Sequence, residues 1–188
     1  METKFLWFVV LIVLVVAAFV VYINQPRDYP AEIYHNHADF AVYLNGTMHN
    51  FSQEKYMSSE NVSLSHDVHM HSMDGGIVHM HAAGTKMKDF FQSIGMNFTS
   101  DCFVLDDGQS FCSNAKNKLL FYVNGRQNYD YGQYEPKDLD RLLISYGDGD
   151  VQAQLESVSD TACIYSLKCP ERGTPPDESC SSTKNCFV

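Results

Sequence analysis

The sequence predicts an α+β fold: antiparallel β-hairpins with one or two short helices packed on a face, preceded by an N-terminal transmembrane helix. A β-grasp-like arrangement suits that inventory. Three observations predict it. Residues 5–23 are apolar and carry no charge. Several short runs alternate apolar with polar residues and end on Asn-Gly or Asp-Gly. Residues 85–95 carry apolar side chains at helical spacing.

The uncharged run of nineteen residues is long enough to cross a bilayer at about 1.5 Å per residue. Its one pair of small residues, Ala17-Ala18, lies inside the run and not at its end, so residues 1–24 read as an uncleaved signal anchor. Lys4 places the amino terminus inside and the C-terminal domain outside, as in a single-pass protein of the cell membrane. Residues 25–34, with Pro26 and Pro30, read as a stalk. Residues 35–160 form one extracytoplasmic domain with its own core, and residues 161–188 a Cys-rich tail. The formal net charge of −10 opposes binding to nucleic acid or anionic lipid. All six cysteines lie beyond the apolar run, which implies disulfides and an oxidising compartment. Sequons begin at Asn45, Asn50, Asn61 and Asn97, compatible with an exported glycoprotein.

The first domain strand is residues 38–44, with Ala38, Phe40, Val42 and Leu44 on one face and Asp39, Ala41 and Tyr43 on the other. Asn45-Gly46 turns it back through residues 48–51. Residues 52–65 are polar, with a helical turn around Glu54 to Met57. In residues 85–95, Thr85 is placed to cap, Met87, Phe90, Phe91 and Ile94 share a face, and Gly95 ends the helix. Strands at 98–105 and 109–112 flank Asp106-Asp107-Gly108. That loop sets Cys102 opposite Cys112 and predicts a cross-strand disulfide. Residues 118–124 repeat the earlier strand, with Asn124-Gly125 as the turn. Either a duplication or one shared turn rule explains the likeness. A Tyr-rich return or loop (129–134), a helical turn (136–140), a buried strand (141–146) and a helix (151–158) with Val151, Leu155 and Val158 on one side follow. The four tail cysteines then allow three pairings, of which Cys163–Cys169 with Cys180–Cys186 is the one favoured.

The functional signal is histidine. Of eight, none lies in the last 107 residues, and apart from His49 they form the clustered set His35, His37, His66, His69, His71, His79 and His81. In a strand, residues two apart share a face, so each of the three H-x-H units offers two imidazoles on one rigid element. Turn length decides whether the units meet. With Asp74-Gly75-Gly76 as a three-residue loop and Gly76 at positive φ, His71 faces His79 and His69 faces His81 on one face. A two-residue Asp74-Gly75 loop slips the register by one and separates the pairs. The three-residue loop is the expectation, because Gly76 supplies the φ it needs. Neutral imidazole is the commonest protein ligand for zinc and copper. The site expected is therefore a copper or zinc ion on His69, His71, His79 and His81, with His35, His37 or His66 as further ligands. Asp39, Asp67 and Asp74 are ligands or second acceptors. Met70 and Met80 alternate with the histidines and belong to the opposite face, packed on the 85–95 helix.

Other readings stand beside this one. The histidines can be a solvated or tyrosine-bonded sheet face, or a pH-sensing cluster. Three imidazoles with an open position suit a zinc-dependent hydrolytic enzyme. A disulfide-stabilised surface adhesion or structural module needs no ion. Nucleophilic and thiol chemistry have no support, since G-x-S-x-G and C-x-x-C are absent. Asn36-His37 lacks the rest of an H-N-H nuclease motif.

Taken together, His37-Ala38-Asp39-Phe40, Gly75-Gly76-Ile77-Val78-His79-Met80-His81 leading into Asp89-Phe90-Phe91, Phe121-Tyr122-Val123-Asn124-Gly125 and the run from Asp138 to Gly147 resemble a group of uncharacterised His-rich exported or membrane-anchored proteins of archaea and uncultured bacteria. The resemblance spans most of the domain. It implies that the histidine hairpin and the following helix form one unit, and it brings no established activity.

Overall fold

The structure is a computed structural model and describes residues 34–59 and 64–176, together with Trp7 and Val15. The predicted anchor, the stalk before Tyr34, Asn61 and the Cys180–Cys186 pair otherwise lie outside the described residues. No described helix is long and apolar enough to cross a membrane. The chain from Tyr34 onward is a compact unit of its own.

That unit is mixed α+β. Its strands are β1 (Asn36–Leu44), β2 (Thr47–Met48), β3 (Val68–His69), β4 (Ile77–Met80), β5 (Asn97–Phe98), β6 (Cys102–Val104), β7 (Ser110–Cys112), β8 (Leu119–Val123), β9 (Arg126–Gln127) and β10 (Arg141–Tyr146). Its helices are short: α1 (Met87–Ser93), α2 (Val151–Ser157) and the single turn α3 (Ala162–Tyr165). The large open sheet runs β3-β4-β1-β10-β8-β9, with β2 also paired to β1, and β5-β6-β7 form a separate small sheet. β1 and β10 pair in parallel, Asp39 opposite Arg141 through Leu44 opposite Tyr146. The sheet is therefore not built of antiparallel hairpins alone. A tight turn forces antiparallel pairing; the long connection between these two strands leaves the direction free.

The alternation expected in β1 divides the core in two. Ala38, Phe40, Val42 and Leu44 join Leu142, Ile144, Met70, Met80 and the α1 residues Met87, Phe90 and Phe91 in the main aromatic core. Six phenylalanines (40, 90, 91, 98, 103 and 121) are essentially fully buried there, each worth about 2 kcal/mol or more of apolar burial. On the other face, Ala41 and Leu143 pack with Val151, Leu155 and Val158 of the α2 region. The helix predicted at 151–158 is thus the cover of the second face.

Local chemistry explains where the elements depart from expectation. Asn45-Gly46 and Asn124-Gly125 have matching positive φ values (52 and 78°, 51 and 77°), as a type I′ turn requires. α1 begins one residue later than predicted. Lys86 is its N-cap, its N–H donating to Asp89 Oδ2 at 2.8 Å, while the Thr85 hydroxyl turns back to the Ala82 carbonyl. The strand expected at 98–105 is broken after Phe98, where Thr99 Oγ1 accepts from the amides of Asp101 and Cys102. Residues 136–140 form a turn, not a helix. Asp140 Oδ2 accepts from the Lys137 amide and the Tyr134 hydroxyl, and Leu139 sits at φ 69°. The Cys102–Cys112 and Cys163–Cys169 disulfides are both present.

One buried carboxylate joins the tail to the sheet. Asp39, 1 % exposed, accepts from the Thr161 amide (2.8 Å) and hydroxyl (3.1 Å) and from the Ala162 amide (3.0 Å). It is the cap of α3, held on a neighbouring strand 122 residues away in sequence. Asp39→Ala strands those donors in the interior and should cost about 2 kcal/mol in chemical denaturation. A loss below about 0.5 kcal/mol, the range of an ordinary surface change, would contradict this role.

Candidate metal centre

The site follows from the register of three adjacent strands. His37 pairs with His79 across β1 and β4, and His69 pairs with His79 across β3 and β4. His69, His79 and His37 therefore form a row across one sheet face. The H-x-H spacing adds His81 and His35 on one side of that row and His71 on the other. The rings close into a belt. In order, centroid separations are 4.5 Å for His37–His35, 4.5 Å for His35–His81, 4.8 Å for His81–His69, 5.8 Å for His69–His71, 3.9 Å for His71–His79 and 4.7 Å for His79–His37. Six of the seven predicted ligands thus come together. His66 is exposed at the surface before β3, and His49 packs on Phe51 and Tyr56 of another hairpin.

The loop that achieves this differs from the expected one. His69 faces His79, not His81, so the register is displaced by two residues from the three-residue loop. A two-residue displacement preserves the face, whereas one residue would have reversed it. The positive φ values fall on Ser72 and Met73 (58° each), which turn the chain between His71 and Asp74. Gly76 is not at positive φ, and Met73 is exposed. Gly75 answers a different need: a Cβ there would lie 2.4 Å from the Ser52 amide nitrogen, so the backbones pack too closely for a side chain.

This is a buried face, not a solvated one. His37, His69, His71 and His79 are all at most 4 % exposed, and His35 and His81 are half-buried. The cover comes from the tail. Tyr165, at the end of α3, contacts the rings of His37 (5.7 Å) and His79 (5.2 Å), and its hydroxyl donates to Asp74 Oδ2 at 2.7 Å. Asp74 also accepts from the Gly76 amide. Of the acids offered as ligands, Asp39 is spent on α3, Asp74 on Tyr165, and Asp67 is exposed.

Hydrogen bonds set the tautomers. His69 Nδ1 lies 2.8 Å from the Ser65 carbonyl, which can only accept, so Nδ1 carries the proton and Nε2 the lone pair. His37 Nδ1 lies 2.8 Å from Ser166 Oγ. Ser166 already donates to Asp138 Oδ1 (2.6 Å), so it accepts from His37, and His37 Nε2 is again a lone pair. Lys168 and the His37 amide also bond Asp138. Burial alone would raise that carboxyl, but its bonds to Lys168, Ser166 and the His37 amide hold it below the usual range. His71 Nδ1 pairs with Ser72 Oγ at 2.9 Å. The Nε2 atoms of His69, His71 and His81 are buried without a hydrogen-bond partner. One ring nitrogen fixed by an outer partner and the other presented as a lone pair is the arrangement of metal-binding histidine. His35, His37 and His79 have ligand atoms all within 4.8 Å of one another and can hold an ion.

Ser166, Asp138 and Tyr165 were not found from the sequence. They lie 129, 101 and 91 residues from the partners they meet, and no local pattern carries such distances. Compared with known protein families, curated proteins and solved structures, the chain matches none.

Desolvation, with smaller repulsion between neighbouring imidazoles, holds these rings neutral. It lowers His37 and His81 to about 3 and His71 to about 4, from an ordinary 6.5. His79 lies well below that value, and burial lowers His35 and His69 too. Between the folded and unfolded values only the unfolded chain takes up these protons, so the stabilisation is complete above 6.5 and is lost as pH falls toward 4. The metal-free protein should therefore lose thermal stability progressively below about pH 6.5. An unchanged midpoint between about pH 7.5 and 5 would contradict a buried neutral cluster.

Proposed function

We propose that this chain is a membrane-anchored extracytoplasmic protein that binds a transition-metal ion, copper or zinc, through its buried imidazoles. The observation that carries the reading is the convergence of His35, His37 and His79, with ligand atoms within 4.8 Å of one another. An all-imidazole donor set suits zinc and copper, and hard oxygen-seeking ions poorly. The acids at this face are engaged in structural bonds, which favours binding over a hydrolytic site needing a free carboxylate base. The uncharged run at 5–23 supports the anchor, and the disulfides suit an oxidising compartment. Asn45, Asn50 and Asn97 are exposed, as glycan attachment requires. The sheet order, its parallel β1–β10 pair and the helix α1 between the flanking strands support a β-grasp-like arrangement.

Titration calorimetry with Cu²⁺ and Zn²⁺ on the untagged, metal-stripped protein tests the reading. Copper should bind more tightly than zinc. His37→Ala or His79→Ala should weaken binding by more than about 100-fold, beyond the loss usual for an outer partner, and His49→Ala should leave it unchanged. Equal affinities in all variants would overturn the assignment. Because the imidazoles are already neutral, affinity should change by no more than about twofold between about pH 7.5 and 5.5, whereas an exposed polyhistidine peptide weakens below about 6.5.

The anchor is tested separately. The protein should remain in the membrane fraction after a high-salt wash. Recovery of a soluble form beginning near Asn24 would show cleavage.

A further inference from the structure

The loop that covers the histidine face is closed by its own disulfide, Cys163–Cys169. Between the two cysteines lie Tyr165, Ser166 and Lys168, and each holds the cover down. Tyr165 packs on the rings of His37 and His79, Ser166 meets His37 Nδ1, and Lys168 pairs with Asp138. Beneath the loop His37 and His79 are buried, while His35 beside them is half-buried. The two ends of the loop are secured differently. At its start Asp39 accepts from Thr161 and Ala162, contacts that do not involve the bridge. Toward its far end Leu167 is exposed and sits at φ 54°. That region is unfavourable for a side chain as bulky as leucine, and opening the loop would relieve it.

The bridge is also placed to be attacked from one side. Cys169 is buried and Cys163 partly exposed. Arg172 Nη1 lies 3.5 Å from Cys163 Sγ, and Asp160 holds the guanidinium there, its Oδ1 accepting from Nη2 at 2.7 Å. A cation beside one sulfur draws an incoming thiolate to it, and stabilises that sulfur when it leaves as a thiolate.

We propose that Cys163–Cys169 is a thiol-exchange latch, opened at Cys163 by a dithiol reductant, and that its opening uncovers His37 and His79. This rests on the metal-binding reading above for its purpose, and adds a control on how firmly an ion is held. One thiolate of the reductant attacks Cys163 Sγ. The Cys163–Cys169 bond breaks, a mixed disulfide forms, and Cys169 leaves as a thiolate that takes a proton from water. The second thiol of the reductant, deprotonated, attacks the reductant's first sulfur. The reductant closes its own disulfide, and Cys163 leaves as a thiolate beside Arg172. Two electrons have passed from the reductant to the bridge. The loop then hinges at the Asp39 cap, and His37 loses Ser166 as the partner of its Nδ1. Loss of such an outer partner weakens metal binding by about 10–100-fold.

The test uses the full chain, untagged and purified in detergent. The double variant Cys163→Ser/Cys169→Ser is the open form, with Cys102–Cys112 left intact. In the metal-free proteins, labelling by diethyl pyrocarbonate is read residue by residue by tandem mass spectrometry. His37 and His79 should react about tenfold faster in the variant than in the oxidised wild type, and His35 at an unchanged rate. After loading, Zn²⁺ should pass to a chromophoric chelator at least about tenfold faster from the variant. Arg172→Gln keeps the bridge, so it tests the latch without depending on how the open form folds. Dithiothreitol should reduce Cys163–Cys169 severalfold more slowly in that variant, and Cys102–Cys112 at an unchanged rate. Equal labelling of His37 and His79 in the open and oxidised forms would overturn the latch, and an unchanged reduction rate in Arg172→Gln would overturn attack at Cys163 guided by Arg172. Faster labelling with no zinc bound by either protein would support the latch and overturn the metal-binding reading alone.

Discussion

The pairing register across β3, β4 and β1 is the constraint on which the rest depends. His69, His79 and His37 lie in one row because their strands pair at those residues. A shift of one residue in β4 would carry His79 and His81 to the aromatic face and bring Met80 to this one. Several contacts secure the register at once. Val68, Val78 and Met80 fill the main core on the far side, and Gly75 allows the chain after β3 to lie against Phe51 and Ser52. Side chains outside the imidazole row thus determine where the imidazoles point.

Burial then turns a row of polar residues into a reactive one. Exposed, six histidines would titrate near 6.5 and repel one another as cations. Buried, they remain neutral, and the Nε2 atoms of His69, His71 and His81 are left without a hydrogen-bond partner. Outer bonds to Ser65, Ser72 and Ser166 orient three of the rings through Nδ1. An unsatisfied buried imidazole nitrogen costs about 1–3 kcal/mol, so these three together are a standing destabilisation that a bound cation would relieve. Any affinity for a cation and the instability of the cation-free fold would then be two sides of the same arrangement.

Much of this could be read from the chain. Period-two alternation placed β1 and its two faces, the i, i+3, i+4, i+7 pattern placed α1, and the Asn-Gly pairs placed both turns. The H-x-H spacing placed the histidines on one face, although the loop was read wrongly. Gly76 was given the positive φ that Ser72 and Met73 adopt, and the face survived because the error amounted to two residues. What could not be read was everything supplied from afar. The parallel β1–β10 pair leaves no turn signature. Asp39 looked like a ligand because its acceptance of the α3 amides is invisible without the fold. The histidine face is covered by residues that a polar, Cys-rich tail gave no reason to place there.

That cover links the site to a disulfide. Asp39 caps α3, the Cys163–Cys169 bridge closes the loop that contains it, and the same loop brings Tyr165 over His37 and His79 and Ser166 to His37 Nδ1. The segment is only one helical turn long, and on its own such a turn is not stable in water. It holds its place through a buried cap, a disulfide and Lys168 on Asp138. Opening the bridge would leave the cap but free the end of the loop that carries Ser166 and Lys168. The tautomer of His37, and with it one lone pair of the centre, therefore depends on a bond that forms under oxidising conditions. Burial, imidazole orientation and a disulfide are in this protein one structural device.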